Sequence, residues 1–197
     1  MKSLRRILAV LMLVAAAGCG LLPDSNTQEG RRSTMDMQQG AETADGILQQ
    51  TLAGITPPLS WQHGPSTDRG CAAANNSETG TGTATRRIEV LTIVSEERRG
   101  SLLGVIERHW RALGYKITSV NPSKEMPAVF ASTPDDFRLG VTVGDTGQFI
   151  FNITTPCFRD ASVSAPHTKA NTPARSGLYP HRPDIHDGFW SATTPAP

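Results

Sequence analysis

Near its C-terminus the chain carries "GLYPHRPDIHDGFW", Gly177 to Trp190, where His181, Asp184, His186 and Asp187 place imidazole and carboxylate groups close together. Such atoms can hold Zn²⁺ or Cu²⁺. Pro180 and Pro183, however, keep the segment extended and send neighbouring side chains in different directions. Tyr179, Phe189 and Trp190 give the stretch a better reading, because leaving three large aromatic side chains in water forgoes favourable burial. The expectation is an arm laid across a helix layer, over Gly100 and Gly104. Asp184 and Asp187 would then accept hydrogen bonds from backbone N–H groups or from Arg108 and Arg111.

The remaining polar residues are explained locally. His63 lies in a loop beside Gly64 and Pro65, and His109 flanks the apolar stripe of a helix next to Trp110. Asp135-Asp136 falls in a hairpin turn, and Glu96-Glu97 in the first turn of a helix, where carboxylates complement the helix dipole. There is no Gly-x-Ser-x-Gly elbow, Ser-x-x-Lys, His-Glu-x-x-His or phosphate-binding glycine loop. No catalytic residue, metal ligand or cofactor is therefore assigned. A hydrolase or metal-binding protein using His63, His109 or the C-terminal His/Asp cluster is the second reading.

The first residues and the three cysteines say where such a chain works. Lys2, Arg5 and Arg6 precede the unbroken apolar run "ILAVLMLVAAA" (Ile7 to Ala17), and Cys19 follows at once. This is the layout of a secretory signal, and the run falls short of the roughly twenty residues that span a bilayer. Cleavage before Cys19 would let that cysteine carry lipid, with Ala16 standing where a lipobox more often has Leu. Two cysteines then remain, and outside the cytoplasm Cys71 and Cys157 pair by default. Loss of residues 1–18 leaves 16 basic against 18 acidic residues, a formal charge of −2, with no concentrated basic run. Nucleic acid is excluded as a partner on that ground.

Stepping along the mature chain, residues 19–40 are polar and Gly/Gln-rich, a composition that reads as a flexible tether. Ala41, Ala44, Leu48, Leu52 and Ile55 recur at helical spacing until Thr56-Pro57-Pro58 ends the helix. "LSWQHGPSTDRGC" (Leu59 to Cys71) and "AAANNSETGTGT" (Ala72 to Thr83) read as loops. "RRIEVLTIV" (Arg86 to Val94) is a strand, followed by a helix from Glu96 with the stripe Leu102, Leu103, Ile106, Trp110 and Leu113. Four more strands follow, at Tyr115 to Val120, Ala128 to Thr133, Phe137 to Val143 and Gln148 to Thr154. Their alternation buries one sheet face and wets the other.

The pattern predicts an α+β fold: a single two-layer domain at 41–157, with an antiparallel or mixed sheet of about five strands and two helices on one face. Residues 158–197 form an extended, Pro-rich C-terminal arm.

"LSWQHGPSTDRGC", "VLTIVSEERRG", "VIERHWRALGY", "TTPC" and "YPHRPDIHDGFW" together resemble small actinobacterial lipoproteins of the streptomycete type. The helix–Trp–Cys opening and the strand ending in Thr-Pro-Cys are also similar to the mycobacterial LppA-type lipoproteins. The resemblance supplies no activity and no catalytic residues; it implies only the lipid on Cys19 and the Cys71–Cys157 pair. The expected protein is a monomeric, membrane-anchored, extracytoplasmic module. Its partners would be the membrane, through the lipid, and an envelope protein or the cell wall.

Overall fold

In the computed structural model, which describes residues 34–194, Asp36 opens the first helix with a capping box. Its carboxylate accepts from Gln39 N at 3.0 Å, while the Gln39 side chain accepts from Asp36 N at 3.0 Å. Helix α1 (Met37–Ala53) therefore begins inside the stretch expected to be tether, and Met37 and Gly40 are buried. The polar composition of residues 34–40 concealed that cap. The signal at 1–18, Cys19 and the tether up to residue 33 lie outside the described residues. No helix among the described residues is long and apolar enough to cross a membrane.

The strands are β1 (Trp61–His63), β2 (Thr67–Ala72), β3 (Glu78–Val90), β4 (Lys116–Asn121), β5 (Ala128–Ser132), β6 (Arg138–Val143), β7 (Phe149–Thr154) and β8 (Phe158–Arg159), with helix α2 (Glu96–Ala112) between β3 and β4. They form one open antiparallel sheet of eight strands, in the order β1-β3-β7-β6-β5-β4, with β2 and β8 also paired to β3. The fold is thus α+β with two helices, but its sheet exceeds the expected five strands. All three additions pair with β3, which at 13 residues is long enough to take β1 and β2 along one edge and β7 and β8 along the other. Its first half, "ETGTGTAT", reads as loop because glycine dilutes the β-branched signal of its threonines.

Both helices lie on one face, α1 over β3 and β7, and α2 over β4 and β5. Ala44, Ile47 and Leu48 of α1 join Leu102, Ile106 and Trp110 of α2 in a core closed by Ile88, Val129, Leu139, Val141, Phe149, Phe151 and Ile153 from the sheet. Gly82 and Gly40 permit this packing, since a Cβ at either would strike Met37 or the Phe158 ring respectively. Gly147, at φ +85°, and Asp136, at φ +63°, turn the two hairpins on either side of β6.

The C-terminal segment wraps the sheet. Ser164 accepts from Arg86 through its carbonyl at 2.7 Å and donates its backbone N–H to Gln38 on α1 at 2.8 Å. Asn171 then takes the free edge of β1, accepting from Trp61 N and donating to Leu59 O, both at 2.8 Å. The chain crosses to the other sheet face at Tyr179–His181 and returns where Ile185 pairs with Leu91 and Ile93. Trp190 closes it, 1 % exposed, with its indole N–H donated to Pro57 O at 2.8 Å. The segment docks around β1 and at the start of α2, away from Gly100 and Gly104, where the sequence had placed it. A Cβ at Gly100 would meet nothing within 4 Å, and one at Gly104 only the Arg108 side chain. Those glycines line an open cleft of about 860 Å³ between α2 and the β4–β5 connection.

Candidate functional site

The histidines and carboxylates singled out by the sequence do not converge. His63 shares a hydrogen bond with Thr168 O at 2.7 Å, and His109 with Gln50 O at 3.0 Å. His109 also explains Gly54, where a Cβ would run into the imidazole. Asp184 grips Arg175 with both oxygens rather than Arg108 or Arg111; Arg111 pairs with Glu107 at 2.7 Å. Asp187 caps its own turn, its Oδ1 accepting from Phe189 N at 2.9 Å and Trp190 N at 2.7 Å. Phe189 in turn lies under the Arg98 guanidinium, 4.5 Å from ring centroid to carbon. Among the described residues no group of three or more His, Cys, Asp or Glu side chains is placed to hold a metal ion.

His181 is the exception in having an acidic partner. Strand β3 turns Glu89 away from the helices, beside Gln62 of β1, and the arm lowers His181 onto the pair. His181 Nδ1 lies 2.7 Å from Glu89 Oε1, and its backbone N–H donates to Oε2 at 2.9 Å. The Glu89 side chain is 1 % exposed, and His181 Nε2 is buried with no hydrogen-bond partner among the described residues. Tyr179 seals the neighbouring ground over Gly64; burial first, then the Glu89 charge, raises its phenol above the ordinary range. A base without an exposed nitrogen cannot reach a substrate. The cluster is a clasp that holds the arm to the sheet.

The open part of the same sheet face is built differently. Because antiparallel partners point to one side, the register fixes its composition. One row runs Thr67, Thr85, Thr154, Arg138, Ser132, Lys116 across six strands, and the hydroxyls of Thr85 and Thr154 lie 2.9 Å apart. The adjacent row runs Arg87, Asn152, Gly140, Phe130, Ser119. Gly140 matters here: a Cβ would come within 3.0 Å of the Phe130 ring, so the glycine lets that ring lie down on the sheet while 36 % of the residue stays exposed.

Strand β2 rises at one end of these rows, fastened by the Cys71–Cys157 disulfide with Cα atoms 6.3 Å apart. Between β2 and β4 the face forms a groove of about 1190 Å³, lined by Arg69, Thr83, Thr118, Ser119, Phe130, Ser132, Asp136, Arg138 and Thr154 among others. Arg69 is the Cα partner of Thr83, whose hydroxyl donates to Thr155 O at 2.7 Å, so Arg69 shares the open side. Among the described residues, neither the Arg69 nor the Arg138 guanidinium has an ion pair or hydrogen bond. Sequence patterning could have put Arg138 on the wet face, since it lies between the apolar Phe137 and Leu139, whereas "AVFAST" is apolar on both sides and leaves Phe130 unassigned. Arg69 carried no such signal, because β2 read as a loop.

No family model matches the chain, and no curated protein matches it in sequence. Weak likenesses are found among solved structures. One is a DUF4853 family protein from Actinomyces odontolyticus, at 9 % identity and TM-score 0.43, covering 73 % of this chain and 77 % of its own. Another is LppA from Mycobacterium tuberculosis, a candidate lipoprotein, at 12 % identity and TM-score 0.44, covering 68 % of this chain and 83 % of its own. Likenesses of this size fix neither family nor activity.

Proposed function

We propose that this chain is a non-enzymatic binding or accessory module of the cell envelope, tethered to the membrane by lipid on Cys19 and working through the grooved open face of its sheet. The observation that carries this reading is a contrast between the two halves of that face. At the β1 end, imidazole, carboxylate and amide are all spent on holding the arm. At the groove end, among the described residues, two guanidiniums without an ion pair or hydrogen bond stand beside hydroxyls and a partly exposed aromatic ring. Side chains kept exposed on a rigid sheet suit recognition of something outside the molecule. The tether from Cys19 would give that face reach above the bilayer.

Two measurements test the reading. A photocrosslinking residue at Ser132, inside the groove, is compared in intact cells with one at Arg111, on the exposed helix layer. Adducts from Ser132 and none from Arg111 are expected; equal labelling, or none from Ser132, refutes a groove-directed module. The mass of the mature N-terminus tests anchoring, and an unmodified thiol at Cys19 refutes it.

A further inference from the structure

We infer that the groove takes an acidic glycan, a sugar chain bearing carboxylate or phosphate groups; the inference rests on the groove being the working surface. Its charge is one-sided. Arg69 stands on one wall and Arg138 on the floor, with Lys116 at the end of the Arg138 row, against a single carboxylate, Asp136, among the described lining residues. Guanidiniums are the side chains best shaped to hold carboxylate or phosphate through paired hydrogen bonds. Arg69 and Arg138 are separated by about three strand spacings, roughly 14 Å along the sheet. An anionic chain laid across that backbone span can meet both guanidiniums with successive groups.

The surface between the arginines is that of a sugar site. Thr154, Ser132, Ser119 and Thr118 offer hydroxyls that both donate and accept, as a polyol requires. Phe130, held flat by Gly140, offers an exposed ring against which the C–H face of a sugar can pack. An acidic peptide is the competing occupant. An extended peptide is held mainly by backbone hydrogen bonds at a strand edge, whereas the groove floor is the face of β5, β6 and β7, whose backbone groups are spent in their ladders. The side-chain chemistry favours the glycan.

The test is calorimetric titration of the full chain, purified in detergent, with four probes: tetragalacturonate, a tetramer of mannose 1-phosphate with a phosphodiester at each link, neutral maltotetraose and hexaglutamate. At least one acidic glycan should bind, and which one does distinguishes carboxylate from phosphate as the recognised group. Arg69→Ala, Arg138→Ala and Phe130→Ala should each weaken it by about tenfold or more, whereas Arg111→Ala on the helix layer should not. Arg69 and Arg138 are exposed, and unchanged melting temperatures will show that their variants fold. Equal binding of maltotetraose or hexaglutamate, indifference to the groove substitutions, or no binding of either acidic glycan overturns the inference. If glycans fail while Ser132 still crosslinks in cells, only the ligand class is wrong; if both fail, the groove reading falls as well.

Discussion

Removing the Arg86 side chain should be among the most damaging single changes to this fold, although the residue touches no candidate ligand. Its guanidinium is 1 % exposed and lies 3.3 Å through Nε from Asp45 Oδ2, whose side chain is 7 % exposed. It also donates to Ser66 Oγ at 2.9 Å and to Ser164 O at 2.7 Å, and so ties α1, the start of β2 and the C-terminal arm to β3. Arg86→Met leaves the Asp45 carboxylate buried without its counter-charge, a loss of about 3–5 kcal/mol in comparable buried pairs. The two lost hydrogen bonds belong to the same network, so they are not added to that figure. Against a total stability of about 5–15 kcal/mol for a domain, this is a large fraction. Asp45→Leu combined with Arg86→Met removes both charges, and should cost less than about half as much.

A pH signature separates this account from simple loss of packing. Burial raises the Asp45 carboxyl above its ordinary range, while Arg86, and more weakly His63 and His167, pull it down. In Arg86→Met the strongest of those pulls is gone, so the folded-state value rises further. A carboxyl raised in the folded state penalises folding above that value, and the penalty shrinks as pH falls toward the unfolded value near 4. The deficit of Arg86→Met should therefore narrow on going from about pH 7 to about pH 5, and no such narrowing should occur when residue 45 is Leu. Urea unfolding followed by tryptophan fluorescence gives the numbers, since Trp61, Trp110 and Trp190 are all at most 5 % exposed. Equal destabilisation by the single and double variants, or a deficit independent of pH, refutes the argument.

Three further outcomes are expected. Trp190→Ala should cost about 3–5 kcal/mol by opening a cavity and freeing Pro57 O, read as a lower urea midpoint; a change below 1 kcal/mol would mean that the arm is not docked. Reducing Cys71–Cys157, which closes a separation of 86 residues, should lower the unfolding free energy by as much as about 4–5 kcal/mol in the chain-entropy limit, seen as a lower urea midpoint, and reductant should have no effect on a Cys71→Ala/Cys157→Ala variant. Because the buried Tyr179 phenol is raised in the fold, its stabilising contribution is complete below about pH 10 and is lost as pH climbs toward the folded value; Tyr179→Phe should flatten that alkaline decline.

What could be read from the sequence follows from the range over which each signal acts. The stripes Ala41/Ala44/Leu48 and Leu102/Ile106/Trp110 are local repeats, and both helices form where those repeats lie. The alternation in "FRLGVTV" and "QFIFNIT" likewise named the buried face of β6 and β7. β2 and the first half of β3 have no such internal pattern, because their stability comes from pairing with one another and not from a shared apolar face, and β1, three residues long on the second half of β3, is too short to show one. Ser95 shows the same limit at one residue. Its position before Glu96 suits an N-cap, yet its hydroxyl is donated to Ala192 O of the arm and makes no cap bond.

The groove depends on that non-local part of the fold. Alternation alone can place Arg138 on the wet face, but its joining with Phe130 and Arg69 needs the sheet register, β2 folded up beside β3 and the disulfide to hold it there. The "PHRPDIH" cluster fails as an active site for the complementary reason: nearness along the chain is not convergence in space. Its Asp184 and His181 turn to partners on Arg175 and on β3, and the residues most suggestive of chemistry become the fastening of an arm. The part of the sheet that the described arm does not reach is the groove, and only the fold could show where that is.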